Sequence, residues 1–318
     1  MKEIKNIKNI KNIKNIKNIK NITIVGMGAL GLLYGSMMAA GGAQVRYVVD
    51  AERYVRYQDM EVTCNGELFR YQLVKDTEAE PADLVMAAVK GTGLAAALDT
   101  MAGCVGPETV ILSVLNGISS EEILGERFGR EKVIHTVALG MDAMKFGNSL
   151  QYTQTGKLHI GLAPGECTEN LEAVKAFFDR TGVGYVEEDD ILRRMWSKFM
   201  LNVGVNQTCM VYGTTYGGVL ANGEPNRTMI SAMREVIALA GAEGISLTEN
   251  DLNQYIEITR TLLPDGTPSM GQDRINRKPS EVELFAGTVM RLAEKHGLYV
   301  PVNRFLYERV QEIEKEYR

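Results

Sequence analysis

Between residues 21 and 188, short apolar runs alternate with stretches of helical spacing. NITIVG (21–26) and QVRYVVD (44–50) are β-branched runs of strand length, and the small-residue segment 29–41 between them reads as a helix. ADLVMAAVK (82–90), ETVILSVLNG (108–117) and KVIHTVALG (132–140) repeat the strand signature, with helical patterns at 93–105 and 119–129 between them. Such alternation predicts a parallel sheet covered by helices on both faces. Residues 141–164 read as a polar hairpin, and a helix over 166–182 and a short strand at 184–188 close this half. From residue 189 the apolar period is helical, predicting helices over 191–212, 226–242, 248–262, 279–296 and 301–317. Pro279-Ser280-Glu281, Gly297 and Pro301 punctuate them. The expected architecture is α/β: a dinucleotide-binding type of domain over 20–188, followed by an all-helical domain over 189–318.

The first nineteen residues follow neither pattern. The word KNI occurs six times in succession from Lys5, placing isoleucine at every third position. That interval matches neither the helical nor the strand period, and the lysines repel one another. Residues 1–19 are therefore expected to be a disordered, low-complexity extension, with the fold beginning near Lys20.

Composition narrows the function classes. A chain of 318 residues favours two domains. No apolar run reaches the ~20 residues of a membrane span, and the N-terminus lacks a signal-peptide core, so a cytoplasmic protein with no membrane role is expected. Cys64, Cys104, Cys167 and Cys209 form no CxxC pair and have no histidine at metal spacing, which points to reduced thiols and no metal. His135, His159 and His296 likewise read as structural. Net charge is −5, with seven lysines against Glu3 in the first twenty residues, so the folded body is acidic and nucleic acid is an unsuitable partner.

Two segments carry chemistry. Gly26-Met27-Gly28-Ala29-Leu30-Gly31 fits GxGxxG, follows a predicted strand and opens a predicted helix. The glycines permit a tight turn, close approach of a pyrophosphate and close helix–sheet packing, while the helix N-terminus attracts phosphate charge. Asp50, at the end of the next strand, stands where an acid accepts ribose hydroxyls, which favours NAD(H) over NADP(H). In the second half, Lys198, Asn202 and Asn206 recur at intervals of four on an otherwise apolar helix. Buried polar heads need partners, and a cleft for an anionic, carbonyl-bearing substrate supplies them; bonds to solvent or to other parts of the chain do so equally well.

From Lys20 onward the chain resembles the ketopantoate reductase (2-dehydropantoate 2-reductase) family. The motifs carrying the likeness are GMGALG, AAVKGTG with Lys90, LNG with Asn116, WSKFMLNVGVNQ, PSMGQD with Ser269, PSEVELFAG with Glu281, and HGLYVPVNRFLYE. The resemblance implies NADPH-dependent reduction of ketopantoate to pantoate, a step towards pantothenate and coenzyme A. It implies Lys198 as the catalytic residue with Glu281 as its acidic partner, Glu281 also being close to the cofactor ribose. It further implies substrate contacts from Asn116, Asn202, Asn206 and Ser269, and cofactor contacts from Lys90, Asn116 and the glycine motif. The chain departs from the family pattern at Asp50, where an arginine commonly holds the 2′-phosphate, and at Gln207, where proline is common. NADP(H) is thus the cofactor by resemblance, with NAD(H) left open by Asp50. Two alternatives stand beside ketopantoate reduction: a sibling reductase of another 2-keto acid, and a nonenzymatic dinucleotide sensor. Lys198, Asn202, Ser269 and Glu281 together argue against the sensor, which needs no proton donor. The expected partner is a small 2-keto acid, and the chain is expected to be a monomer or homodimer.

Overall fold

A computed structural model describes residues 17–317. The chain divides into two compact units. Of the described residues, the first comprises 17–89, Gly93–Leu115 and Ser120–Ile191; the second comprises 192–317 with the short segments Lys90–Thr92 and Asn116–Ser119.

Among the described residues, twelve strands belong to the first unit: β1 (Asn21–Val25), β2 (Gln44–Val49), β3 (Val62–Cys64), β4 (Glu67–Phe69), β5 (Gln72–Lys75), β6 (Leu84–Ala87), β7 (Val110–Ser113), β8 (Val133–Met141), β9 (Met144–Phe146), β10 (Ser149–Gln151), β11 (Thr155–Gly161) and β12 (Tyr185–Glu187). Eight form one sheet in the order β12-β11-β8-β7-β6-β1-β2-β5. Its pairs are parallel except β8–β11, and the register sets Ile22 beside Val45 and Leu84, and Ile24 beside Tyr47 and Met86. β1, β6 and β7 lie in its middle, and β6 and β7 are buried at every position, which is why they read as unbroken apolar runs. Helices α1 (Ala29–Ala40), α2 (Ala51–Tyr57), α3 (Leu94–Ala102), α4 (Ser120–Phe128) and α5 (Thr168–Thr181) complete the Rossmann-like arrangement. Two separate apolar clusters result, one containing Ile24, Leu32 and Phe178, the other Val48, Val85 and Ile111.

Residues 51–83, where the apolar pattern is silent, contain α2 and three short strands. β3 and β4 join the β9–β10 hairpin in a second sheet of order β4-β3-β10-β9. The segment 141–164 therefore does more than turn back on itself: β9 and β10 build the small sheet, while β11 pairs antiparallel with β8 in the large one.

The fold takes in chain ahead of its expected start near Lys20. Residues 1–16 of the expected disordered extension 1–19 lie outside the described residues, but Ile19 is 1% exposed and packs in the core. Arg180 donates to the Ile19 carbonyl and to Asn18 Oδ1, and Asp83 accepts from the Lys20 and Asn21 N–H groups. Isoleucine every third residue says nothing about a partner far along the chain, and here α5 provides one.

The second unit holds helices α6 (Ile191–Leu201), α7 (Gln207–Tyr212), α8 (Tyr216–Leu220), α9 (Glu224–Ala242), α10 (Glu249–Arg260), α11 (Ser269–Ile275), α12 (Thr288–His296) and α13 (Pro301–Lys315). A capping box of Thr248 and Asp251 opens α10. The single helix expected over 191–212 is interrupted by a π-turn, Asn202–Asn206, between α6 and α7. The helix expected over 279–296 likewise begins only with a second π-turn, Glu283–Gly287, ahead of α12. Gln207 ties these two turns together. Its Nε2 donates to Val203 O (2.9 Å) and Asn303 Oδ1 (3.2 Å), and its Oε1 accepts from Ala286 N (3.0 Å). The widened i→i+5 turn disturbs the regular helical ladder, and a buried side-chain amide supplies donors and an acceptor there. Gly204 makes the close crossing with α9 possible, since a Cβ there would lie 2.4 Å from Met233 Cγ.

Candidate active site

In the first unit the glycine turn is shaped for close approach. Gly26 adopts φ +117°, and a Cβ there would lie 2.4 Å from Ala88 O; a Cβ on Gly31 would lie 2.1 Å from Gly26 O. Only glycine satisfies both positions. Gly28 is exposed, and its nearest would-be neighbour is 3.8 Å away, so the outer side of the turn is open. Gly28 is the N-cap of α1 with no side-chain cap, and the first turn carries no acid. Open donors and an unopposed helix dipole suit a pyrophosphate, so these residues fit a dinucleotide.

Asp50 follows β2 and is the N-cap of α2. Its Oδ1 accepts from Arg53 N at 2.7 Å, and its Oδ2 pairs with the Arg53 guanidinium. The Arg53 N–H, and then the Arg53 charge, hold the carboxyl below the usual range. The acid is thus ionised and already coupled to a neighbouring cation.

In the second unit a lysine, an amide and a carboxylate form a chain. Lys198 Nζ donates to Asn116 Oδ1 (3.0 Å), and Asn116 Nδ2 donates to Glu281 Oε2 (3.0 Å). Glu281 Oε1 accepts from Gly91 N at 3.2 Å. Glu281 is 6% exposed, so its carboxylate depends on these donors. A lysine only donates and a carboxylate only accepts, which orients the Asn116 amide. Glu281 therefore reaches Lys198 through an intervening amide rather than by a direct ion pair. Instead of opening a helix as its sequence context implies, it precedes the second π-turn, where its carbonyl accepts from Leu284 N and Phe285 N.

Asn206 Nδ2 donates to Asn202 Oδ1 at 2.9 Å, and Asn206 Oδ1 accepts from Ser269 Oγ (3.1 Å) and Met270 N (3.4 Å). Asn206 is thereby committed to bracing the start of α11. The Asn202 NH2 group carries no hydrogen bond among the described residues. Pro268, not Ser269, is the N-cap of α11.

Sequence reasoning missed Asp273, although PSMGQD contains it. Its carboxylate accepts from Lys90 Nζ at 2.9 and 3.1 Å. Burial pushes the Asp273 carboxyl up, and Lys90 opposes that shift. Four-residue spacing after Ser269 on a helix was the available signal. The histidines pair with glutamates: His135 with Glu166, His159 with Glu188 (2.6 Å) and His296 with Glu243 (2.5 Å). Among the described residues no cluster suits a metal ion and no helix is long and apolar enough to cross a membrane. All four cysteines are free.

Residues 22–165 match the family model for ketopantoate reductase PanE/ApbA, and residues 190–314 match that for its C-terminal part. The chain belongs to the ketopantoate reductase family. A 2-dehydropantoate 2-reductase of Streptococcus pyogenes is 23% identical over 293 residues, covering 90% of this chain and 95% of that one. The crystal structure of a PanE/ApbA family ketopantoate reductase from Ralstonia eutropha JMP134 has a TM-score of 0.80 at 24% identity, covering 93% and 99%. The ternary structure of D-mandelate dehydrogenase with NADH and anilino(oxo)acetate has a TM-score of 0.82 at 22% identity, with the same coverages. At these identities the structural likeness is one of fold.

Proposed function

We propose that the protein is a nicotinamide-dependent 2-keto acid reductase whose substrate is ketopantoate, reduced at C2 to pantoate. The chain from Lys198 through Asn116 to Glu281 carries this reading. The cofactor, when bound, supplies the hydride that C2 receives. Lys198 Nζ faces the negative charge growing on the C2 oxygen, stabilises it and gives it a proton, leaving a hydroxyl. Asn116, held on its other side by Glu281, fixes the lysine head in position. The Asn202 NH2 group offers a donor for the substrate's carboxylate, and Ser269 Oγ, whose hydrogen goes to Asn206 Oδ1, accepts from the substrate's hydroxyl. The open turn at Gly28 and the α1 N-terminus hold the pyrophosphate, and Lys90, steadied by Asp273, is a further cofactor contact. Lys198→Ala is expected to lower kcat about 10²–10⁴-fold while leaving the dissociation constant for the reduced cofactor within about threefold of the parent. Undiminished turnover would remove the mechanism.

A second reading is a sibling reductase that uses NADH on another 2-keto acid. It is favoured by Asp50, whose carboxylate repels a 2′-phosphate, and by the likeness to D-mandelate dehydrogenase, whose structure contains NADH. Steady-state rates with ketopantoate and a panel of 2-keto acids, each with NADH and NADPH, separate the two. A strong NADPH preference would overturn the role given to Asp50, and faster turnover of another keto acid would overturn ketopantoate.

A further inference from the structure

The β9–β10 hairpin carries a lysine that the keto-acid chemistry does not use. Lys145, at the centre of β9, reaches the glycine turn, where its Nζ donates to Met27 O at 2.8 Å. Its flanking residues Met144 and Phe146 are exposed, whereas Lys145 itself is half-buried. No carboxylate pairs with it among the described residues, and burial pushes its ammonium down from the usual lysine range. Holding a half-buried cation beside one carbonyl is costly unless an anion shares the site. Met27 is followed directly by Gly28, the open position of the turn, and by the uncapped start of α1. The cation and the helix N-terminus thus converge on one place, on elements of the same unit. Lysine differs here from the backbone donors of the turn in carrying a full charge.

We infer that Lys145 is a dinucleotide-binding residue, its ammonium neutralising pyrophosphate charge at the glycine turn. The inference rests on the dinucleotide reading of that turn and adds a residue supplied by the small sheet. It predicts that affinity for ADP-ribose, which contains the pyrophosphate but no nicotinamide, depends on Lys145 and on ionic strength. The two dependences should be coupled, because exposed charge attraction is screened by salt whereas packing is not.

The test is calorimetric titration of the full chain with ADP-ribose and with NADH across a range of potassium chloride concentrations. Lys145→Met is expected to weaken ADP-ribose binding about tenfold at low salt, as loss of one charge-assisted hydrogen bond does. It should also flatten the dependence of the dissociation constant on salt, while Lys145→Arg retains most of both. Circular dichroism verifies folding, and Lys145→Gln takes the place of the methionine variant if that one fails to fold. Unchanged affinity would overturn the inference. So would weakened affinity with an unaltered salt slope, which marks a lysine that only props the loop. Either result leaves the dinucleotide reading intact so long as the parent binds ADP-ribose and NADH. A parent chain that binds neither removes that reading and this one together.

Discussion

Replacing Gln207 by leucine should loosen the second unit at its centre. Gln207 is fully buried, and its amide makes three bonds: to Val203 O, Asn303 Oδ1 and Ala286 N. Leucine fills a similar volume but leaves these groups without their partner. At about 1 kcal/mol net for each bond the loss is roughly 3 kcal/mol. Burying an aliphatic group where an amide stood returns about 1 kcal/mol, so the expected cost is ~2 kcal/mol. With a urea m-value of about 2 kcal/mol/M, the midpoint falls by roughly 1 M. The chain offers a selective probe, because its one tryptophan, Trp196, lies in the second unit, 7% exposed and edge-on to Phe199. Urea titration followed by Trp196 fluorescence therefore reports on this unit directly. Hydrogen exchange should quicken at 203–207 and 283–287 together, because one side chain serves both turns. A midpoint within about 0.2 M of the parent would refute the reasoning, since it would mean that the amide bonds add nothing over water.

Two other predictions concern the first unit. A chain starting at Lys20 should melt about 4–8 °C below one starting at Lys17, because it loses a buried isoleucine worth ~2 kcal/mol; equal melting by scanning calorimetry would show that Ile19 does not support the core. His135 gives a pH signature. Burial alone would lower its basicity, but the Glu166 hydrogen bond and the Glu121 and Glu166 charges outweigh that and raise it. A raised folded value means stability fully present below about pH 6.5 and lost as pH climbs through the folded value. Thermal midpoints by circular dichroism should therefore fall less steeply from pH 6 to 8.5 in His135→Gln than in the parent, and parallel slopes would count against the His135–Glu166 pair.

The middle of the large sheet was legible because β6 and β7 are buried at every position, and burial leaves an unbroken apolar run such as LVMA. The small sheet was not, since strands of three residues carry too few places to show a period. In the helical half, intervals of four correctly brought Asn202 near Asn206, which meet at 2.9 Å. Neither π-turn was legible: NVGVN and ELFAG have no composition that separates i→i+5 from i→i+4 bonding, and the difference lies in a glutamine and in what packs on Gly204. Gln207 looked like a departure from the family pattern, yet its amide makes contacts that a proline ring has no atoms to make. Asn116 and Glu281 are 165 residues apart, so their meeting required the fold.

The π-turn at Asn202–Asn206 also fixes how this stretch of chain can change. Each residue of an α-helix advances the side chains by about 100°. A π-turn takes about one residue more than an α-turn to come round, so losing one residue between 202 and 206 would let α6 run on regularly into α7 with the later side chains close to their present direction. Gln207 would still face Ala286, whereas the turn's own residues would change direction and the Asn202–Asn206–Ser269 contacts would be lost. A residue lost within α6 or α7 instead turns everything beyond it by about 100°. The turn is therefore where this stretch of chain can change length without re-aiming the helices on either side of it.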